Sequence, residues 1–201
     1  MARELEAKFV VASLDALRGV LRGLGASLKK TCRFERNIVF DTSGRDLKAR
    51  GELLRLRQSD RAVLTWKRPM DGPVPAGVKA MEEVETTVGD FATMAEVLRG
   101  LGYKEALWYE KCREQWVLGK ALVCLDLLPF GEFIEIEGDP TVIAETAARL
   151  GLSMDKASAL TYHDLYRAYL AENGLPPQDS FTFSQEQRAG LGDVCFKAGD
   201  A

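Results

Sequence analysis

Glu4-Leu5-Glu6-Ala7-Lys8, running on into Phe9-Val10-Val11, sets charged residues at every second position of a stretch with strand character. Successive side chains of a strand point to opposite faces, so Glu4, Glu6 and Lys8 share one face while Leu5, Ala7 and Phe9 share the other. An antiparallel sheet with one solvated face is the ordinary source of such alternation. Three charges in succession leave two readings: the face looks at water, or it looks at something charged.

The other strand-like runs sort the same way. Arg55 and Arg57 lie opposite Leu54 and Leu56, and Lys67 falls on the side of Thr65, away from Leu64 and Trp66. Glu83 and Glu85 flank Val84, Lys111 and Arg113 flank Cys112, Asp126 opposes Leu125 and Leu127, and Glu135 and Glu137 oppose Ile134 and Ile136. Charges at i and i+2 are about 7 Å apart, and at an effective dielectric of about 20 each like pair costs about 2 kcal/mol. A solvated face gives no reason to choose like pairs strand after strand. The chain also has enough amphipathic helices to cover the apolar side, so a sheet that curls and closes would turn its charged side inward.

That interior would hold seven carboxylates (Glu4, Glu6, Glu83, Glu85, Asp126, Glu135, Glu137) and six cations (Lys8, Arg55, Arg57, Lys67, Lys111, Arg113), a formal sum of −1. Two divalent metal ions would bring it to about +3, close to balance with a triphosphate of about −4 to −5.

Three helices are expected from apolar spacing: Ser13 to Leu24, Asp90 to Leu101 and Pro140 to Leu150, each entered through Ser, Asp or Asp-Pro and closed by glycine. A fourth spans Thr161 to Glu172. Asp41 to Asp46 reads as a turn, and Pro69 to Gly77 as a mobile connection. Val20-Leu21-Arg22-Gly23-Leu24-Gly25 recurs unchanged as Val97-Leu98-Arg99-Gly100-Leu101-Gly102. A looser third copy ends in Arg149-Leu150-Gly151, and all three follow a charge-alternating strand, which suggests a repeated strand-helix unit. Residues 1–173 are expected to form a single domain, and 174–201 a weakly ordered tail with one short helix.

Composition narrows the partners. With 201 residues, 28% charged and a net charge of −3, the chain reads as an ordinary soluble globule with no chain-wide attraction for nucleic acid. No apolar run reaches the roughly 18 residues of a membrane helix and nothing resembles a signal peptide, so a cytoplasmic location is expected. Cys32, Cys112, Cys124 and Cys195 form no C-x-x-C pair and are read as reduced structural thiols. His163 is read as a packing residue. With one histidine, metal chemistry falls to carboxylates, which favours magnesium or manganese.

E-L-E-A-K, L-R-L-R, the lysine of T-W-K, E-V-E, K-C-R, L-D and the closing F-I-E-I-E-G together resemble the successive motifs of the CYTH superfamily, the triphosphate tunnel metalloenzymes, over about residues 3 to 170. That resemblance implies an α+β fold, a closed eight-stranded antiparallel β-barrel forming a tunnel with a charged lumen, flanked by α-helices. It implies metal binding by Glu4, Glu6, Glu135 and Glu137 with Asp126, and phosphate binding by Lys8, Arg55, Arg57, Lys67, Lys111 and Arg113. Lys67, Glu83 and Glu85 are the candidates for orienting the attacking water. The implied cofactor is two Mg2+ or Mn2+ ions, and the implied partner a small-molecule triphosphate, with the chain a monomer or homodimer. Where many relatives carry Lys-Ser-Tyr before the final helix, this chain has Leu160-Thr161-Tyr162, so Thr161 offers a hydroxyl at the serine position. The stretch Asn37 to Leu47 is similar to the cyclase-like branch. The expected activity is hydrolysis of inorganic triphosphate or of a nucleoside or other organic triphosphate. Cyclisation of ATP to cyclic AMP and diphosphate is the enzymatic alternative, and a non-catalytic polyphosphate or nucleotide sensor is the other.

Overall fold

The alternation that begins at Glu4 continues around a ring. A computed structural model describes residues 2–195. Its strands are β1 (Ala2–Val11), β2 (Ser27–Asp41), β3 (Leu53–Gln58), β4 (Ala62–Pro69), β5 (Val78–Val88), β6 (Lys104–Leu118), β7 (Ala121–Leu128) and β8 (Gly131–Glu137). They pair antiparallel in the order β1-β5-β4-β3-β2-β6-β7-β8, and β8 returns to β1 to close the barrel. Register sets opposite charges side by side on the inner face: Lys8 lies beside Glu135, Arg113 beside Asp126, and Lys67 beside Glu83.

The apolar faces point outward, so the cores lie between the barrel and its helices. Under α1 (Leu14–Gly23) and α4 (Pro140–Arg149), Leu17, Leu21, Ile143 and Ala147 meet Ala7, Phe9, Val123, Ile134 and Ile136. Under α3 (Phe91–Gly100), Ala95 and Leu98 meet Ile38, Phe40, Leu54 and Leu56. Each buried leucine or isoleucine contributes about 2 kcal/mol, which is what holds the charged ring closed.

The repeated hexapeptide folds twice into the same helix stop. Gly25 N–H donates to Arg22 O at 3.0 Å and Ala26 N–H to Leu21 O at 2.9 Å; Gly102 and Tyr103 repeat this on Arg99 and Leu98 at 3.0 Å each. This is the Schellman closure, which needs a left-handed residue, and Gly25 (φ 75°) and Gly102 (φ 95°) supply it. The helices start as expected too, with Ser13 and Asp90 side chains accepting from Ala16 N–H and Thr93 N–H. Asp41 to Asp46 leads into a short helix the sequence pattern did not announce, α2 (Asp46–Ala49), whose Leu47 and Lys48 amides donate to the buried Asp41 carboxylate.

One expectation differs from what is found. Cys32 and Cys195 form a disulfide across 163 residues of sequence, while Cys112 and Cys124 are free and buried. No motif links positions so far apart, and only the fold brings them together. The short helix expected after Pro176 is present as α6 (Gln185–Cys195), on a segment that docks on the barrel with Phe181 and Phe183 buried. Its landing place is the half of β6 that β7 does not reach, where Phe181 exchanges backbone hydrogen bonds with Trp108 O at 3.1 Å and Glu110 N at 3.0 Å. The end of the expected tail, residues 196–201, lies outside the described residues.

Candidate active site

Parity on six strands aims the charges into one cavity of about 620 Å³, lined by Glu4, Glu6, Lys8, Arg55, Arg57, Lys67, Glu83, Glu85, Lys111, Arg113, Glu135 and Glu137. Of the site residues expected from sequence, only Asp126 is absent from that lining, being fully buried beneath it.

The acidic members divide into two groups. Glu4, Glu6 and Glu137 each bring a carboxylate oxygen to within 4.8 Å of the others. Their cationic neighbours leave the cluster short of positive charge. Lys67 pairs with Glu4 and, at 2.9 Å, with Glu83, and Lys8 reaches Glu6 at 3.0 Å. Burial, with Glu135, Glu4 and Glu6 nearby, pushes the Glu137 carboxyl up to about 7 despite Arg113. A partly buried oxygen-only trio of this kind fits a hard divalent cation, Mg2+ or Mn2+, which would relieve that repulsion.

The second group is already neutralised by protein. Glu135 pairs with Lys8 at 2.8 Å and with Arg113, and Asp126 receives Lys111 at 3.1 Å and Arg113 Nε at 2.7 Å. Burial would raise both carboxyls, but Arg113 and its lysine partners hold them below the usual range, Glu135 far below it. The structure thus does not bring Asp126 into the Glu4–Glu6–Glu137 cluster; it anchors cations instead. Glu135 lies between, with Glu137 and the Cys124 thiol also within 4.8 Å of one another.

The basic set lines the remaining wall. Arg55 donates to Tyr109 Oη at 3.3 Å and Thr65 Oγ1 at 3.4 Å, and Arg57 reaches Glu85 at 3.3 Å. Burial opposes the charge on Lys8, yet Glu135 and Glu6 outweigh it and raise the ammonium pKa; Glu4 and Glu83 do the same for Lys67 against burial and Arg55.

Several lumen residues escaped the sequence reading. On β2, Glu35 and Asn37 face inward, Glu35 3.9 Å from both Arg57 and Lys111. Sorting β2 by parity against Ile38 and Phe40 would have found them. Glu35 Oε2, both Asn37 amide atoms, and the Nε atoms of Arg55 and Arg57 are buried without hydrogen-bond partners, a wall prepared for a polar guest. Lys79 on β5 comes within 3.9 Å of Glu6, and burial lowers its pKa. One acid and one base more leave the formal lumen charge at −1.

Tyr162 matches the tyrosine of the Lys-Ser-Tyr pattern, but the sequence reading gave it no role. It is the first residue of α5 (Tyr162–Glu172), set by a capping box in which Thr161 Oγ1 accepts from Asp164 N at 3.2 Å and Asp164 Oδ2 from Thr161 N at 3.1 Å. The Thr161 hydroxyl is thereby engaged in the helix start. Tyr162 enters the barrel, donates to Asp126 Oδ2 at 2.7 Å, and offers its ring to Lys8 and Lys111 at 4.9 and 5.3 Å. His163 sits among Tyr109 and Phe181, as a packing residue should.

Comparison with known proteins agrees with this architecture. Adenylate cyclase CyaB of Aeromonas hydrophila is 26% identical over 182 residues, covering 85% of this chain and 92% of that protein. A solved structure from Vibrio parahaemolyticus, described as a candidate adenylate cyclase, superposes with a TM-score of 0.69 at 21% identity, covering 81% of this chain and 97% of that one. One from Hippeastrum, described as a candidate adenylyl cyclase with a dominant triphosphatase activity, covers 93% and 96% with a TM-score of 0.52 at 19% identity. The CYTH domain model matches residues 2–157, and with its charged eight-stranded tunnel the chain belongs to the CYTH domain family.

Proposed function

We propose that the protein is a metal-dependent triphosphatase that hydrolyses inorganic triphosphate or a nucleoside or other organic triphosphate at its terminal phosphate and works in the cytoplasm. The observation that carries this reading is the convergence of six cations and an under-neutralised carboxylate trio in one cavity. Glu4, Glu6 and Glu137 would hold Mg2+ or Mn2+, which when bound supplies charge neutralisation of the phosphate oxygens. Arg55 and Arg57 grip phosphate oxygens as forks from β3, while Lys8 acts from β1 and Lys111 and Arg113 from β6. Lys67, held between Glu4 and Glu83, would orient the attacking water, with Glu83 and Glu85 as the neighbouring acceptors. The cations then compensate the charge of the departing diphosphate.

Cyclisation of ATP is the second reading. An apolar collar of Val39, Leu53 and Leu107 on the same cavity offers room for an organic group, and the Aeromonas relative bears the cyclase name. The Hippeastrum description shows that such a name does not fix the reaction. Incubation of the chain with tripolyphosphate and with ATP, each with Mg2+ or Mn2+, followed by separation of products, tests the proposal. Orthophosphate release is expected; cyclic AMP as the dominant product would overturn hydrolysis, and tight binding with no product would make the protein a sensor. Glu4→Gln and Glu137→Gln are each expected to lower metal-dependent turnover by at least 100-fold while retaining the fold, as loss of metal-ligating charge requires.

A further inference from the structure

Cys32 on β2 and Cys195 on α6 are joined, and Cys112 on β6 brings its Sγ to within 4.8 Å of theirs. The pair closes a small apolar cluster with Phe183, Phe34 and Leu191. Cys195 lies beyond residue 157, where the CYTH match ends, so the bond ties an appended segment to the catalytic barrel. Where it is tied matters. Arg33, next to Cys32, lies beside Arg113, and Cys112 stands between Lys111 and Arg113 on the strand that carries both.

The tied segment also supports the site from behind. Phe181 pairs with the free half of β6, Phe183 N–H donates to Glu110 Oε2 at 3.1 Å, and Arg188 reaches Glu110 Oε1 at 2.5 Å. The Phe181 ring packs on Tyr109 and Tyr166 with centroids 5.4 and 5.0 Å apart. Tyr109 accepts a hydrogen bond from Arg55, and Tyr166 lies one turn along α5 from Tyr162. The appended segment therefore braces a β3 arginine and the helix that enters the barrel.

We propose that the Cys32–Cys195 disulfide is a redox strap: oxidised, it locks residues 180–195 onto β6 and keeps the phosphate-binding wall in its binding geometry; reduced, it lets that segment lift and weakens triphosphate binding. The functional half of this statement rests on the triphosphatase reading. The oxidant is a low-molecular-weight disulfide. The Cys195 thiolate attacks one of its sulfurs, forming a mixed disulfide and expelling one thiolate; the Cys32 thiolate then displaces the second. The protein gains one S–S bond, the oxidant loses one, two electrons pass to the oxidant, and the two protons of the protein thiols end on the two released thiols. A dithiol reductant reverses the sequence. In a compartment buffered by small thiols a bond of this kind is a responsive element, since disulfides there are mostly transient and redox-sensing.

The test uses the full chain equilibrated in mixtures of oxidised and reduced glutathione. Alkylation and peptide mapping should give a Cys32–Cys195 cross-linked peptide with Cys112 and Cys124 free at the oxidising end, and four free thiols at the reducing end. Amide exchange of residues 104–111 and 180–188 should quicken at least 10-fold on reduction, a readout independent of turnover. The KM for tripolyphosphate should rise at least 3-fold with a smaller change in kcat. Cys195→Ser should show the reduced exchange pattern and the raised KM in every buffer. A Cys32–Cys112 cross-link in place of Cys32–Cys195, or exchange unchanged by reduction, overturns the strap. Quickened exchange with KM unmoved overturns its coupling to the site, and quickened exchange in a chain inactive on every triphosphate overturns the triphosphatase reading while the strap stands.

Discussion

His163 shows at the residue scale how burial decides a role. Its ring is wedged between Tyr109 and Phe181 and its Nε2 has no hydrogen-bond partner. Burial, against the pull of Asp179 and Asp164, lowers its pKa to about 4 from about 6.5 in an unfolded chain. The fold favours the neutral ring, so this contribution to stability is complete above about pH 6.5 and is lost as pH falls toward 4. Between pH 7.5 and 5 the loss is about 2 kcal/mol. Urea unfolding of the wild type and of His163→Gln at both pH values measures it; equal pH dependence in the two proteins would remove His163 as the cause. Tyr162 makes the complementary case. Its hydroxyl on Asp126 and its ring beside Lys8 and Lys111 are tertiary facts, because a helix residue has no strand parity to announce an inward direction.

Among the elements, the repeated Leu-Arg-Gly-Leu-Gly shows two glycines with different duties. Gly102 sits at φ 95°, where any side chain is strained, although nothing lies within 4 Å of the Cβ it would gain. Gly100 is equally open but belongs to the last turn of α3, with no positive φ. Gly102→Ala should therefore destabilise by about 1 kcal/mol and Gly100→Ala stabilise by about 0.5 kcal/mol. Thermal denaturation of the two variants checks the pair, and equal shifts would contradict the helix stop described. Such stops were legible because a few contiguous residues complete them. Helix α2 was not, since its start depends on Asp41, whose carboxylate serves it only because β2 holds that side chain buried.

For the whole molecule, a lumen full of paired charges predicts ligand-dependent stability. Glu4, Glu6 and Glu137 crowd together, and the β2–β3 wall leaves buried donors and acceptors unpartnered, so the barrel carries both repulsion and desolvation that the proposed metal ion and triphosphate would relieve. A ligand at 100 times its Kd adds about 2.7 kcal/mol to the native state, which for a chain of this size raises Tm by about 5 to 10 °C. Thermal melts with Mg2+ and tripolyphosphate, against the same mixture with excess chelator, provide the measurement. An unchanged Tm in both would contradict binding in the tunnel.

The sequence by itself determined the inward charged face and most of the residues on it, because strand side chains alternate with period two and each like-charged pair announces its side. It also determined the starts and stops of α1 and α3, which are local in sequence. Only the tertiary structure decided how those charges divide. Arg113 reaches both Asp126 and Glu135 and neutralises them, leaving Glu4, Glu6 and Glu137 short of positive charge. Register between β6, β7 and β8 settles that division, and no single strand contains it. The Cys32–Cys195 bond and the docking of Phe181 on β6 are decided the same way, by barrel closure bringing together residues far apart along the chain.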